Sequence, residues 1–450
     1  MKHIPWQHDC CFVRRYMPLE DGRSIRQIIE ELDSLAERGY GAIQITAPYD
    51  SPGFHPWWGL RIRDPFRLSP VLGASMEDFC ELVRQCHVRG LRVLVFLNLG
   101  YGDISSELWK IACRERRQGL DTPRVRFFRW SDTGTEPPPA AADPCFPREE
   151  WWAWSEEAQS YYRAFWNGEN TVPGLYEPQF DWSSPALRDY TARILRHWLD
   201  TGLDGVILDA VNRYLGCDMG TLSRWCESCL AGYPGVCLIP EGATGFGDQA
   251  ISWLDAGFAV LEDQMFHSDW LGSAILDGVK SGSAAGIKAR LENCRLTQSR
   301  GRVCWSYLCW GDAWIPRLRL LEIALLLATG HMTEIIPGYL SDFSEEDRAM
   351  LDRLTRLSRY PFLSPARARH FPDTAQDAIF QCGGDSWIFA ASFSGDAQYF
   401  IPELSGGRIL RDLISGRIYK SEHKIALEPY GWCFLEIRRQ SEADWGKPSL

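Results

Sequence analysis

Along the first hundred residues, short apolar runs alternate with longer stretches in which apolar residues return every three or four positions. "CCFVRRY" predicts a strand. "SIRQIIEELDSLAERG" then places Ile25, Ile28, Ile29, Leu32 and Leu35 on one helix face and stops at Gly39. "YGAIQITAP" predicts a second strand, "SMEDFCELVRQCHVRG" a helix stopped at Gly90, and "LRVLVFLNL" a third strand. This alternation is that of parallel βα units.

The rhythm breaks between residues 101 and 185, a stretch rich in Pro, Trp and charge that contains "TGTEPPPAAADPCFP" and predicts an inserted loop domain. It resumes in "SPALRDYTARILRHWLDTG", with Leu187, Tyr190, Ile194 and Trp198 on one face, followed by "LDGVILDA". Four more strands are predicted in "GVCLIPEG", "AGFAVLEDQ", "GRVCWSYL" and "MTEIIPG", with "RLRLLEIALLLATG" as an apolar helix before the last. Eight strands in this order predict an α/β fold, a closed (β/α)8 TIM barrel, built from residues 1–100 and 186–364 around the insertion at 101–185. From 365 to 450 the pattern changes to short alternating runs such as "SWIFAASFS" and "CFLEIRR". These predict a C-terminal, sandwich-like antiparallel β domain.

Charge and composition narrow the partners. The formal net charge of -11, with no Lys/Arg run, argues against nucleic acid and anionic membranes, and no stretch approaches the roughly 18 unbroken apolar residues of a membrane span. Fifteen cysteines, an odd number in a large chain, predict reduced thiols and a cytoplasmic setting. The cluster Cys217, Cys226, Cys229 and Cys237 contains one C-x-x-C but no second pair at zinc-ribbon spacing, so neither a metal nor a cofactor is expected. Twenty tryptophans, many in loops such as "FHPWWGLR" and "CWGDAWIP", either offer flat faces to a ring-shaped ligand or staple long loops together.

In such a barrel the C-terminal strand ends face the mouth where chemistry is done. The fourth strand ends in Asp209, the fifth in Glu241, and the seventh is followed by Asp312. An aspartate directly after Val-Ile-Leu is costly to bury, which points to a use. Three carboxylates on one rim suit glycoside hydrolysis: one attacks the anomeric carbon, a second protonates the leaving oxygen, and a third orients hydroxyls.

Several of these segments resemble the α-amylase family of glycoside hydrolases, nearest its oligo-1,6-glucosidase, trehalose synthase and sucrose isomerase branch. "GRSIRQIIEELDSLAERGYGAIQITAPYDSPGF" and "RDPFRLSPVLGASMEDFCELVRQCHVRGLRVLVF" are similar to the segments around the family's second and third strands. "RFFRWSDTGTEPPPA" and "WAWSEEAQSYYRAFW" resemble the branch's inserted domain, and "LYEPQFDWSSPALRD" stands where it carries a QPDLN-type motif. "DGVILDAVNRY" resembles the nucleophile region, "LIPEG" the acid/base region, and "YLCWGDAWIPR" the Asn-His-Asp region. The resemblance implies a retaining mechanism with Asp209 as nucleophile, Glu241 as acid/base and Asp312 as transition-state stabiliser. The substrate implied is a small α-linked glycoside.

The same alignment shows where the chain departs from that pattern. The family's third-strand Asp, Asn and His fall on Phe96, Gly100 and Tyr101, its sugar-platform tyrosine on Leu60 and the neighbouring acid on Arg61. The arginine two positions before the nucleophile is Ile207, and the histidine of Asn-His-Asp is Gly311. With Gly100 in place of that asparagine, calcium is not indicated. Arg61, Tyr101, Arg213, His55, Trp58 and Trp310 are the candidates for a rebuilt substrate-binding shell, with Arg213 or Arg61 supplying the cation that keeps Asp209 ionised. A second reading stays open: a catalytically inactive barrel kept for carbohydrate binding or assembly. Sugar identity, hydrolysis against transfer, and oligomeric state are not legible in the chain.

Overall fold

In a computed structural model of the chain, the residues described are 5–53, 57–73, 75–131, 151–165, 176–242, 248–262, 274–308, 315–336, 338–365, 367, 369–371, 377–402, 404 and 407–439. The eight expected strands form one parallel sheet: β1 (Phe12–Tyr16), β2 (Ala42–Thr46), β3 (Arg92–Leu97), β4 (Gly205–Leu208), β5 (Cys237–Pro240), β6 (Val260–Glu262), β7 (Val303–Leu308) and β8 (His331–Ile335). Neighbours run β6-β7-β8-β1-β2-β3-β4-β5, and the two end strands β5 and β6 lie side by side, so the sheet curls into a barrel. Every residue of β2, β4, β5 and β8 is buried, as expected where helices cover one face and the barrel interior the other.

Helix starts are fixed by local chemistry. Ser24 and Gln27 form a reciprocal capping box at the helix Ile25–Glu37, Ser75 and Asp78 at Met76–Val88, and Ser344 and Asp347 at Glu345–Arg356. The helix Pro316–Thr329 differs from these, because every residue from Leu318 to Thr329 is buried. It lies against β8 on one side and against the strands Ile379–Gly384 and Trp387–Ser392 on the other, which explains its lack of a polar face. Among the described residues no helix is long and apolar enough to cross a membrane.

Within 101–185, where the sequence predicts loop, the chain forms the helix Glu107–Arg117 and an antiparallel hairpin of Trp151–Ser155 with Ser160–Ala164. That helix buries only Trp109, Ala112 and Cys113, an apolar stripe too thin to stand out in "ELWKIACRERR". Several tryptophans, in loops and helices alike, act as staples. Trp182 and Trp198 are fully buried and donate their indole N–H to the carbonyls of Leu99 (2.9 Å) and Pro65 (3.0 Å), and Trp109 stacks on Trp130 with centroids 5.2 Å apart. At the C-terminus Ile379–Gly384, Trp387–Ser392, Trp432–Arg439, Arg408–Asp412 and Ile418–Lys420 build a five-stranded antiparallel sheet. A two-stranded pair, Gln398–Phe400 with Ile425–Leu427, shares a second core with it through Phe400, Leu410, Ile425 and Leu435.

Candidate active site

The mouth of the barrel is organised at the ends of β4 and β5. The amide of Asp209 donates to Leu97 O on β3 and that of Glu241 to Leu208 O on β4, both at 2.9 Å, so each carboxylate follows directly from a strand held on its neighbour. Between them Ala210 adopts a left-handed conformation, φ 44° and ψ 46°, which costs an alanine roughly 1–2 kcal/mol. That turn aims the Ala210 N–H at Glu241 Oε2, 2.6 Å away, while the Val211 N–H donates to the Glu241 carbonyl at 3.0 Å. One strained residue thereby ties the two carboxylate-bearing segments together.

Asp209 is 8% exposed, and its Oδ2 is buried with no hydrogen-bond partner among the described residues. Burial, reinforced by the Glu241 carboxylate, pushes the Asp209 carboxyl well above the usual carboxylate range, and Arg213, the Tyr101 hydroxyl and Arg15 act against that rise. Glu241 is raised as well, first by burial, and is opposed by the Ala210 N–H, Arg213, the Tyr307 hydroxyl and Arg15. The Tyr307 hydroxyl, from β7, donates to Glu241 Oε1 at 3.4 Å. A buried and a half-buried carboxyl that repel one another therefore retain a proton more readily than either would in water.

Tyr101 is buried and stacked on Phe165 of the insertion at 4.0 Å, beside Asp209. Asn98 holds it there: its side-chain amide donates to the carbonyls of Leu60 (2.7 Å) and Tyr101 (2.9 Å) and its Oδ1 accepts from the Gly100 N–H (2.7 Å). Gly100 is needed for close approach, because a Cβ there would stand 3.1 Å from the Tyr214 ring. Arg213 sits over the Phe165 ring at 5.5 Å, near both carboxylates, and its carbonyl accepts from Gln179 of the insertion at 2.8 Å. Trp58, at φ 54°, stands edge-on to Tyr307 at 6.2 Å. The structure thus brings Asp209, Glu241, Tyr101, Arg213 and Trp58 around one mouth. Arg61 is held instead by Asp103 at 3.2 Å, in a pair packed beside Glu177. Asp312, His55 and Trp310 lie outside the described residues.

Four residues at or below this mouth were not singled out from sequence. Arg15, on β1, is fully buried, donates to Thr46 Oγ1 at 2.8 Å, and its Nη1 stands 3.2 Å from Glu334 Oε1 on β8. Trp305 Nε1 donates to the other Glu334 oxygen at 3.1 Å. Glu262, at the end of β6, accepts from the Gly242 N–H. Glu177 is 1% exposed, and neither of its carboxylate oxygens has a hydrogen-bond partner among the described residues. The available signal was an Arg or Glu within an apolar strand ("CCFVRRY", "MTEII"), the same signal that picks out Asp209.

Burial is the main reason the Glu177 carboxyl rises from its ordinary 4.5 to about 7, with Arg61 opposing the rise. The folded protein keeps this proton while the unfolded chain loses it near pH 4.5, so the contribution is fully present below that pH and is lost as pH rises through 7. Glu177→Gln should therefore match the wild type in urea unfolding at pH 4.5 and exceed it at pH 8 by on the order of 2 kcal/mol. Equal stability of the two proteins at pH 8 would refute the assignment.

Among the described residues, one set of His and Cys side chains has donor atoms within 4.8 Å of one another: Cys294, Cys304 and His331. It lies away from the mouth. The Cys217, Cys226, Cys229 and Cys237 cluster forms no such set, and all the described cysteines are free.

Comparison with known proteins gives this mouth a context. Residues 21–228 match the family model described as alpha amylase, catalytic domain. The chain is 29% identical over 188 residues to a trehalose synthase/amylase of Mycolicibacterium smegmatis, covering 42% of this chain and 29% of that protein. It is 26% identical over 219 residues to a trehalose-6-phosphate hydrolase of Escherichia coli, covering 47% and 37%. The matched stretch is thus well under two thirds of each relative's length. The crystal structure of a trehalose-6-phosphate hydrolase from Bacillus licheniformis superposes with a TM-score of 0.73 over 97% of this chain and 100% of that one, at 14% identity, which establishes a shared fold. The stretch matched by that catalytic-domain model, residues 21–228, includes β4 and Asp209.

Proposed function

We propose that the protein is a retaining glycoside hydrolase or transglycosidase acting on a small α-linked glycoside, with a sugar specificity unlike that of its relatives. The observation that carries this reading is the linked pair at the ends of β4 and β5: Asp209 with an unpartnered Oδ2 and Glu241 beside it, both raised, both held on the Ala210 turn. Asp209 attacks the anomeric carbon, and Glu241 gives its proton to the leaving oxygen. A glycosyl-Asp209 ester forms, and deprotonated Glu241 then activates water or a sugar hydroxyl to release it. Arg213 and Arg15 supply positive potential on the nucleophile, the work expected of Arg213 or Arg61 from sequence. Asp312 is assigned the stabilising role by resemblance. The free thiols support a reducing, cytoplasmic setting.

The rebuilt shell of Tyr101, Arg213 and Trp58 supports a donor other than an ordinary glucoside. Fluoride release from α-glucosyl, α-galactosyl, α-glucuronyl and α-xylosyl fluorides tests this, because fluoride leaves with little acid help. The wild type should turn over at least one donor. Glu241→Gln should keep much of that rate, yet lose about 10²–10⁴-fold on the matching alkyl glycoside, whose leaving group needs a proton. Silence of the wild type on every donor, or equal losses on both leaving groups, would count against the assignment.

A further inference from the structure

Cys304 is the second residue of β7, three positions before Tyr307 and hence about 10 Å further from the mouth along the strand. His331 opens β8 and pairs with Cys304 across the ladder. Trp305 and Glu334 meet inside the barrel, so the alternation of the strands turns Cys304 and His331 outward, toward the helix Glu292–Ser299 that carries Cys294. Here two thiols and an imidazole, all buried, bring one donor atom each within 4.8 Å of the others. The Thr329 hydroxyl lies 2.9 Å from His331 Nδ1, an outer partner that fixes the ring as one does for metal-binding histidines.

A second observation concerns charge. The guanidinium of Arg369 donates to the carbonyls of Ala328 (3.0 Å), Leu363 (2.9 Å), Ser364 (2.9 Å), Pro365 (3.3 Å) and Arg367, and among the described residues it has no carboxylate partner. The groups that bear on it electrostatically are thiols: Cys382, Cys294, Cys11 and Cys304. Space is made for it by Gly330, at φ +82°, where a Cβ would stand 2.4 Å from the Arg369 Cζ. Burial raises the Cys382 thiol and Arg369 opposes that rise without overcoming it, so the enclosed cation is placed to balance negative charge where a metal replaces the thiol protons. Cys382, from the C-terminal sheet, approaches the same turn: its Sγ is 3.6 Å from the Ala328 carbonyl, and that of Cys294 is 3.5 Å from the Thr329 carbonyl.

We propose that Cys294, Cys304 and His331 form a structural zinc site between the barrel wall, its helix layer and the C-terminal sheet, with Cys382, whose Sγ stands outside that 4.8 Å set on the Ala328 carbonyl, turning in as fourth donor. Three thiol protons are released to solvent on binding, and the resulting zinc-trithiolate carries one negative charge that Arg369 neutralises. The site departs from the metal-free expectation of the sequence because its donors are spread over residues 294–382, with no short motif to betray them.

The test is metal content of untagged full-length protein purified without chelators, followed by cobalt exchange. About one zinc per chain is expected, and cobalt should give intense thiolate-to-metal absorption in the near ultraviolet with the visible bands of a tetrahedral site. Cys304→Ser should lower zinc affinity at least about 10-fold, whereas Cys80→Ser, at an exposed thiol, should leave it unchanged. The site is overturned if folded wild-type protein holds no zinc as isolated, takes none from a chromophoric chelator, and gives no thiolate band with cobalt. Those readings need only the wild type, so they stand even if Cys304→Ser fails to fold.

Discussion

Asp209→Asn is expected to lower turnover of the best α-glycosyl fluoride by at least about 10⁴-fold while leaving the fold intact, because the amide keeps the shape of the carboxylate and loses its nucleophilicity. Its melting temperature should equal or exceed the wild type's, since the carboxylate it replaces is buried beside a second one with an oxygen unsatisfied among the described residues. Asp209→Gly with added azide carries the argument further: an external nucleophile entering on the vacated face of an α-fluoride would form a β-glycosyl azide. Turnover within tenfold of wild type in Asp209→Asn would remove the proposed nucleophile. An unchanged rate together with an α-configured product would remove the mechanism as well.

The second large effect is on stability. Arg15 and Glu334 are both fully buried and 3.2 Å apart, with the guanidinium also lying 4.9 Å from the ring centroids of Trp58 and Phe96. Removing one partner strands the other charge inside the barrel, so Arg15→Met or Glu334→Gln should each cost about 3–5 kcal/mol. The double variant Arg15→Met/Glu334→Leu removes both charges and replaces them with apolar volume, so it should recover most of that loss. Denaturant midpoints of the three variants decide the matter. If either single change costs less than about 1 kcal/mol, or the double change costs the sum of the two, the pair is not coupled as described.

The barrel was readable because its physics is local. Strands buried on both faces appear as unbroken apolar runs, "VLVFL" and "GVIL" among them, and these two are followed by helices with one apolar stripe, capped by Ser106 and Asp218. Asp209 and Glu241 were readable for the same reason, as charges at the very end of such runs. What was hidden depends on which side of a strand a residue faces and what stands opposite. Nothing near Arg61 in sequence reveals that the loop after β2 folds onto the loop after β3, where the Asp103 N–H meets the Ile62 carbonyl at 3.1 Å and Arg61 finds its carboxylate. Likewise Arg15 and Glu334 lie more than three hundred positions apart and become partners only when β8 closes on β1.

The wholly buried helix Pro316–Thr329 has a consequence for the order in which the protein can be made. Its outer flank is covered by strands that begin only at Ile379, some sixty residues later in the chain. A nascent polypeptide that has just completed β8 therefore displays a stripe of leucines to the surrounding water until the C-terminal sheet is synthesised and docks. Sheet and barrel thus complete one another, and strands synthesised after the barrel seal an enclosure that the chain has already built.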